Sequence, residues 1–346
     1  MSEPTKENHL AQIKGLFITA SGGTAEVKEA WDAFDGDLII LEEPDEGQII
    51  EAVKDVDVAM TFGAGGTRAI FEAMDRCQGW ISFGHGFDGA DLDAAVENGV
   101  ILANTASFGT DEVSNQAMMH LLVCSRKFVL HDKLVKAGVW TREHLPPMGH
   151  LPFQTLGLIG TGNIGRAVGR KAKAFGMRVV AYDPYISSWD TKEIGFEPAT
   201  SVDEVCAQAD YLTLHTMLNE ETFHMIGEPQ FKIMKPTAYL INVSRGKCVD
   251  ELALIRALND GEIAGAGLDT FEQEPISPDN PLLNMDNVSV TSHYASYSEV
   301  AFTRGLTQLG EEGVRIALGQ WPMSLINPAI QATIPPRESA RAWGTF

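Results

Sequence analysis

Leu156-Gly157-Leu158-Ile159-Gly160-Thr161-Gly162-Asn163-Ile164-Gly165 decides the reading of this chain. An apolar strand runs directly into a G-x-G-x-x-G turn. A helix-compatible stretch, Arg166 to Phe175, follows and is closed by Gly176 as a C-cap. Met177 to Tyr182 reads as the next strand and ends at Asp183. Each part has a physical task. Gly160 makes the tight turn, Gly162 lacks the Cβ that would hold a pyrophosphate off the backbone, and Gly165 lets helix and strand pack closely. Asn163 and Ile164 open the helix, where unpaired N–H groups and a partial positive charge suit phosphate. Asp183 can accept hydrogen bonds from ribose hydroxyls, and its charge repels a 2′-phosphate. The motif alone is weak evidence, but strand, helix, capping glycine and terminal acid agree here. They predict an NAD site.

Working outward, short apolar strands alternate with helical segments on both sides. Downstream strands are expected at Arg178–Tyr182, Tyr211–His215, Ala238–Asn242, Gly265–Leu268 and Val288–Val290. Upstream, strands at Lys14–Thr19, Leu38–Leu41, Val56–Met60, Trp80–Phe83 and Val100–Leu102 alternate with helices such as Glu26–Phe34 and Ile49–Val53. Such alternation indicates βαβ units and parallel sheets. Gln116 to Val129 is a long apolar helical stretch, too apolar for a free surface helix, and is expected to pack between domains or subunits. Leu145 to Pro152 reads as a loop, and Leu325 to Phe346 as an extended tail. Gly63-Ala64-Gly65-Gly66-Thr67 looks phosphate-friendly but lacks the Lys of a P-loop, so it reads as a substrate-facing loop.

At 346 residues the chain exceeds a comfortable single core, and two domains are expected. The formal charge of −21 repels phosphate backbones and argues against nucleic-acid binding. No apolar run approaches the roughly 20 residues that span a bilayer. The polar N-terminus, Met1 to Asn8, does not read as a signal peptide, so a cytoplasmic protein without membrane partners is expected. Cys77, Cys124, Cys206 and Cys248 form no C-x-x-C pair and read as buried thiols. His85, His120, His131, His144, His150 and His224 lack ligand-like clusters, and no metal is expected.

Three later segments carry a resemblance: Leu240 to Glu251 with Arg245, Gly267 to Pro275 with Asp269 and Glu274, and Asn287 to His293. With the Gly motif before them, they resemble the Arg, Glu and His segments of the D-2-hydroxyacid dehydrogenase family, over about residues 76 to 328. Gly84-His85-Gly86-Phe87-Asp88, Leu218-Asn219-Glu220 and Ser298-Glu299 resemble its C-terminal-binding-protein branch. The residue types suit the chemistry on their own terms. A guanidinium such as Arg245 holds a carboxylate and polarises a carbonyl. An imidazole such as His293 gives and takes a proton near neutrality. A carboxylate such as Glu274 favours the imidazolium and fixes the ring. The resemblance further implies that Asp269 faces the nicotinamide side, with Thr110, His215, Thr216, Val243 and Ser244 as other cofactor contacts.

The chain also departs from the family. Ser82 stands where Arg often helps bind the substrate carboxylate, so backbone N–H groups of the Gly-rich loops serve instead, or the substrate differs. His85 replaces a small or apolar residue, and a role in substrate selection stands beside a plain solvent-facing reading. Ser296 replaces the branch's Trp, Met217 a usual Pro, and Asn115 a frequent Glu.

The expected architecture is two doubly wound α/β parallel-sheet domains. A flavodoxin-like substrate domain (1–108, completed by 301–346) carries an inserted Rossmann NAD domain (109–300). The expected function is NAD-dependent interconversion of a small D-2-hydroxy acid and its 2-oxo acid. Phe62, Gly63, Ala64, Gly84, His85, Gly86, Arg245 and Ser296 are the candidate substrate contacts, in a cleft between domains. A homodimer is expected. Two alternatives stand beside this: a dehydrogenase of an unusual anion such as phosphite, and an NADH-sensing regulatory protein.

Overall fold

The computed structural model describes residues 13–338, apart from 21, 107, 142, 144 and 145. The polar N-terminus, His144, Leu145 and the tail from 339 onward lie outside the described residues. The chain divides into two compact units, 1–108 with 298–346, and 109–297.

The first unit begins with β1 (Lys14–Thr19), α1 (Thr24–Asp32), β2 (Asp37–Glu42), α2 (Glu46–Val53), β3 (Val58–Phe62), α3 (Arg68–Glu72), β4 (Gly79–Ser82), α4 (Leu92–Glu97) and β5 (Ile101–Asn104). The strands form one parallel sheet in the order β2-β1-β3-β4-β5. Five of the six residues of β1 are buried, as a strand covered on both faces requires. Trp31 of α1 lies fully buried against it, with its ring where a Cβ at Gly15 would sit. The helices start where polar side chains satisfy their first N–H groups. Asp45 and Gln48 form a capping box on α2, and Thr67 and Asp91 cap α3 and α4.

The second unit opens with α5 (Thr110–Arg126) and α6 (Phe128–Lys136), joined at Lys127 in a left-handed conformation. Then come β6 (Thr155–Ile159), α7 (Asn163–Ala174), β7 (Arg178–Tyr182), α8 (Ser188–Glu193), β8 (Glu197–Pro198), α9 (Val202–Gln208), β9 (Tyr211–Leu214), α10 (Glu228–Ile233), β10 (Tyr239–Asn242), α11 (Glu251–Asp260), β11 (Gly265–Leu268) and β12 (Val288–Val290). All seven strands are parallel, in the order β12-β11-β10-β9-β6-β7-β8. The order reverses between β6 and β9, and the Gly-rich turn follows β6 at that switch point, where such sheets bind ligands. Both units are thus doubly wound parallel α/β sheets.

The apolar helix read at Gln116–Val129 begins six residues earlier, after Gly109, and buries Val113, Ala117, Met118, Leu121 and Cys124 within its own unit. The apolar residues therefore have a partner without leaving that unit. By contrast α6 buries none of its residues, and Phe128 and Val135 stay exposed.

The chain re-enters the first unit at Ser298, which caps α12 (Glu299–Ala317), a 19-residue helix that the strand-by-strand reading passed over. Its Glu312 is buried beside Arg315, and burial pushes its carboxyl up despite the Met323 N–H it accepts. The described part of the tail beyond Leu325 is fastened at Asn327 rather than merely extended. Asn327 is buried and bonds both ways to the backbone of Val100 and Leu102.

Candidate active site

The Gly-rich turn is built by close approach. A Cβ at Gly165 would lie 2.1 Å from the Gly160 carbonyl oxygen, so no larger residue fits without moving the turn. A Cβ at Gly162 would meet nothing within 4 Å, so the backbone there faces open space. No side chain caps the first turn of α7, which begins at Asn163 with half-buried Ile164 next. His215 and Thr216, after β9, back directly onto Gly160. His215 is half-buried against the turn, its Nε2 3.0 Å from Thr213 Oγ1, and desolvation of its ring pushes it down to about 3. Open backbone, uncapped helix start and terminal acid fit a dinucleotide pyrophosphate and ribose.

Asp183 has a second duty. One carboxylate oxygen accepts both the Thr161 N–H, at 2.8 Å, and the Thr161 hydroxyl, at 2.9 Å. The other accepts the Tyr185 N–H at 3.0 Å. The acid that the sequence assigns to ribose recognition therefore also ties β7 to the Gly-rich turn.

Arg245 follows β10. Buried Asn242, the last residue of that strand, folds the turn around it. Its side chain accepts from the Ser244 N–H and hydroxyl and donates to the Arg245 carbonyl at 2.9 Å. Val243 and Ser244 are thereby buried in the turn, and the Arg245 guanidinium donates to the Ser244 carbonyl at 2.8 Å. Gly246 then passes so close to the next segment that a Cβ would lie 1.9 Å from the Phe271 carbonyl. That contact brings the Arg245 and Glu274 segments together.

Glu274 accepts the Phe271 N–H through one oxygen and meets His293 Nδ1 at 2.5 Å through the other. Partial burial pushes the Glu274 carboxyl up. The His293 hydrogen bond, the Phe271 N–H and the nearby charges of His293 and Arg245 outweigh it and bring it below the usual range. His293 adopts φ of 53°, a left-handed conformation uncommon for a residue with a side chain. A cavity of about 790 Å³ opens beside the pair, lined by Phe271, Glu274, Ile276, Leu283, His293 and Tyr294 among others. Asp269 is fully buried and turned toward the segment 291–295, accepting from the Thr291 hydroxyl and the Ala295 N–H. Thr110 is the first residue of α5, and Ser296 lies half-buried three residues past His293.

The remaining candidates lie in the first unit. Phe62 ends β3 and Gly63-Ala64 follow it, while Gly84-His85-Gly86 lies just beyond β4. The two loops touch, since a Cβ at Gly65 would lie 2.6 Å from the Gly89 carbonyl. Of the backbone N–H groups in these loops, two are engaged within the unit: Ala64 donates to Thr61 Oγ1 and Gly84 to Thr105 Oγ1. The His85 ring lies 5.6 Å from that of Phe108, and its carbonyl accepts from Asn104.

Two readings of the sequence are amended: Asn115, named only as a departure, has a partner, and His224, read as lacking a ligand-like cluster, stands in one. Lys171 donates to Asn115 at 2.8 Å and to Ser114, which gives Asn115 a partner. His224 sits with Asp250 and Glu272, ligand atoms within 4.8 Å of one another, the one such group of three among the described residues. His224 pairs with Glu272 at 2.8 Å, while Asp250 caps α11.

Comparison with known proteins decides the family. The model of the D-isomer specific 2-hydroxyacid dehydrogenase NAD-binding domain matches residues 118–295. This chain belongs to the D-isomer-specific 2-hydroxyacid dehydrogenases. A glyoxylate reductase of Korarchaeum cryptofilum is 39% identical over 297 residues, covering 85% of this chain and 89% of that protein. The crystal structure of a glyoxylate reductase from Paecilomyes thermophila matches with a TM-score of 0.81 at 26% identity, covering 92% of this chain and 99% of the other. An NAD-complexed D-isomer specific 2-hydroxyacid dehydrogenase from Lactobacillus delbrueckii ssp. bulgaricus matches with a TM-score of 0.74 at 25% identity, covering 90% and 100%. This dehydrogenase is accordingly an NAD-dependent oxidoreductase acting on a CH–OH group, and its Gly160–Gly165 turn lies in the NAD-binding domain. No helix among the described residues is long and apolar enough to cross a membrane.

Proposed function

We propose that this enzyme reduces small 2-oxo acids, glyoxylate to achiral glycolate first among them and larger oxo acids to the D-2-hydroxy acid, and runs the reverse oxidation. The observation that carries the reading is the 2.5 Å contact between His293 Nδ1 and Glu274 Oε2 beside a cavity, with the charge of Arg245 reaching the same carboxylate. NADH, when bound, supplies the hydride. His293 uses the ring nitrogen that Glu274 does not occupy to give a proton to the carbonyl oxygen, and takes it back in oxidation. Glu274 orients the ring and stabilises its charged form. Arg245 holds the carboxylate and polarises the carbonyl.

Gly160, Gly162, Asn163, Ile164, Gly165 and Asp183 receive the dinucleotide in this reading. Thr110, His215, Thr216, Val243, Ser244 and Asp269 complete its surroundings. Phe62, Gly63, Ala64, Gly84, His85, Gly86 and Ser296 are assigned to the substrate. A glyoxylate reductase as a relative at 39% identity supports a substrate with little or no side chain. Four buried, unbridged cysteines support a reducing, cytoplasmic setting. Exposed Phe128, Val135, Trp140 and Phe153 support a homodimer, since large apolar groups clustered along one segment favour association.

The test is a panel of 2-oxo acids with NADH and NADPH side by side. Glyoxylate, pyruvate, hydroxypyruvate and bulkier acids would be offered to the purified chain. The reading requires NADH-preferring turnover that is highest for the smallest acids. Tight NADH binding with no turnover of any acid would overturn it.

A further inference from the structure

We propose that His120 is a positioning residue for the His293 loop, acting through Thr291 and Asp269 as its Nε2–H tautomer. The inference rests on reading His293 as the acid–base residue.

His120 projects from α5 and is fully buried. Its Nδ1 lies 3.0 Å from Ser289 Oγ and its Nε2 3.1 Å from Thr291 Oγ1. Gln116, one helical turn earlier, donates its amide N–H to the same Thr291 oxygen at 2.9 Å. Thr291 in turn donates to Asp269 Oδ1 at 2.5 Å.

The proton inventory at Thr291 fixes its three directions, and the Gln116 amide nitrogen, 3.5 Å from His120 Nε2, makes its shorter bond to Thr291. A hydroxyl has one proton and two lone pairs. Thr291 gives its proton to Asp269, so it accepts from Gln116 and from His120. Nε2 of His120 must therefore carry the hydrogen, and Nδ1 must accept from Ser289. Burial pushes His120 down to about 4 against the opposing charge of Asp269, which keeps it in the one-donor, one-acceptor form near neutrality. Gly267 makes room for the ring, since a Cβ there would lie 2.6 Å from the His120 Cβ.

Asp269 delivers this order to the catalytic loop. Its carboxylate accepts the Ala295 N–H at 3.0 Å and the Tyr294 N–H at 3.3 Å, and its carbonyl accepts the His293 N–H at 2.7 Å. A left-handed backbone such as that of His293 persists only where its surroundings over-determine it. The chain from Ser289 and Gln116 through His120 and Thr291 holds the carboxylate that does so.

Histidine ring ¹⁵N NMR of the full chain tests this, with signals assigned by His120→Leu and His293→Gln. Thr291→Val keeps the shape and loses the hydroxyl, and Thr291→Ser keeps the hydroxyl. The parent should show His120 as the Nε2–H tautomer. Thr291→Val should displace the His293 ring signals and Thr291→Ser return them. With NADH and glyoxylate, kcat should fall roughly tenfold in Thr291→Val, with NADH affinity and the kcat of Thr291→Ser within about twofold of the parent. An Nδ1–H tautomer, unmoved His293 signals, or equal loss in Thr291→Ser would overturn the proposal. If Thr291→Val does not fold, Ser289→Ala removes the donor to Nδ1 from the far side, and unmoved His293 signals there would overturn it equally. A parent without oxo-acid turnover would sink the substrate reading alone, because the ring signals still report the positioning.

Discussion

His293 Nδ1 and Glu274 Oε2 stand 2.5 Å apart, on two segments separated by 19 residues. The short contact leaves the imidazole one ring nitrogen for substrate and ties the other to a carboxylate. General acid–base groups contribute about 10²–10⁴-fold to rate, and part of that depends on the partner that steadies the charged ring. Glu274→Gln keeps the shape and loses the charge. Its kcat should fall by roughly 100-fold while NADH affinity stays unchanged, which steady-state kinetics with a parallel NADH titration would check.

Gly162 and Gly165 belong to one motif but stand in different surroundings. The turn around Gly165 is packed, with 2.1 Å from a built Cβ to the Gly160 oxygen, while Gly162 faces open space. Gly162→Ala should leave thermal stability within about 0.5 kcal/mol and weaken NADH by at least roughly tenfold, because the methyl group intrudes only when pyrophosphate is present. Gly165→Ala should lose both stability and binding. Thermal melts with and without NADH separate the two.

Asp183 holds the Thr161 N–H and hydroxyl while presenting its charge at the end of β7. Asp183→Ala removes the repulsion of a 2′-phosphate and also loosens the turn. The ratio of kcat/KM for NADPH over NADH should rise by at least about tenfold while NADH itself binds more weakly. A ratio that does not move would remove Asp183 from cofactor selection.

His120, fully buried, and His215, half-buried, are both depressed by desolvation, to about 4 and about 3 from the usual 6.5. A histidine with a lowered folded value stabilises fully above the unfolded value, where both states are neutral. Below it the unfolded chain binds the proton first, so stability is lost as pH falls from about 6.5 toward 4. For His120 the loss is on the order of 3 kcal/mol. Urea unfolding across that window should show a steep acid-side fall, flattened in His120→Leu by comparison with the parent.

The sequence made some of this legible and hid the rest for physical reasons. The β6 strand, the glycine turn and α7 are local, so spacing alone reveals them. Arg245, Glu274 and His293 follow strand ends in a family order, and the ends of parallel strands are where such sheets place their sites. Helix α12 shows Leu306, Leu309, Gly313 and Val314 at helical spacing, but Gly305, Gly310 and Gly313 within it lower the helical signal of its sequence. The start of α5 at Thr110 rests on the left-handed turn at Gly109 and acids in the first turn, cues weaker than the apolar run after Gln116. His120 gave no signal, since its partners Ser289 and Thr291 lie 169 and 171 residues away. Gly246 and Asn242 were equally silent, as close approach and turn-folding bonds show only when the backbone is laid out.

The most direct measurement is a single turnover of enzyme-bound NADH with glyoxylate, followed by cofactor absorbance, for the parent and for His293→Ala. The account predicts rapid oxidation of NADH in the parent and a rate lower by at least roughly 100-fold in His293→Ala, with NADH bound equally well by both. Equal rates in the two proteins would contradict the assignment of His293 as the proton donor, and with it the central claim.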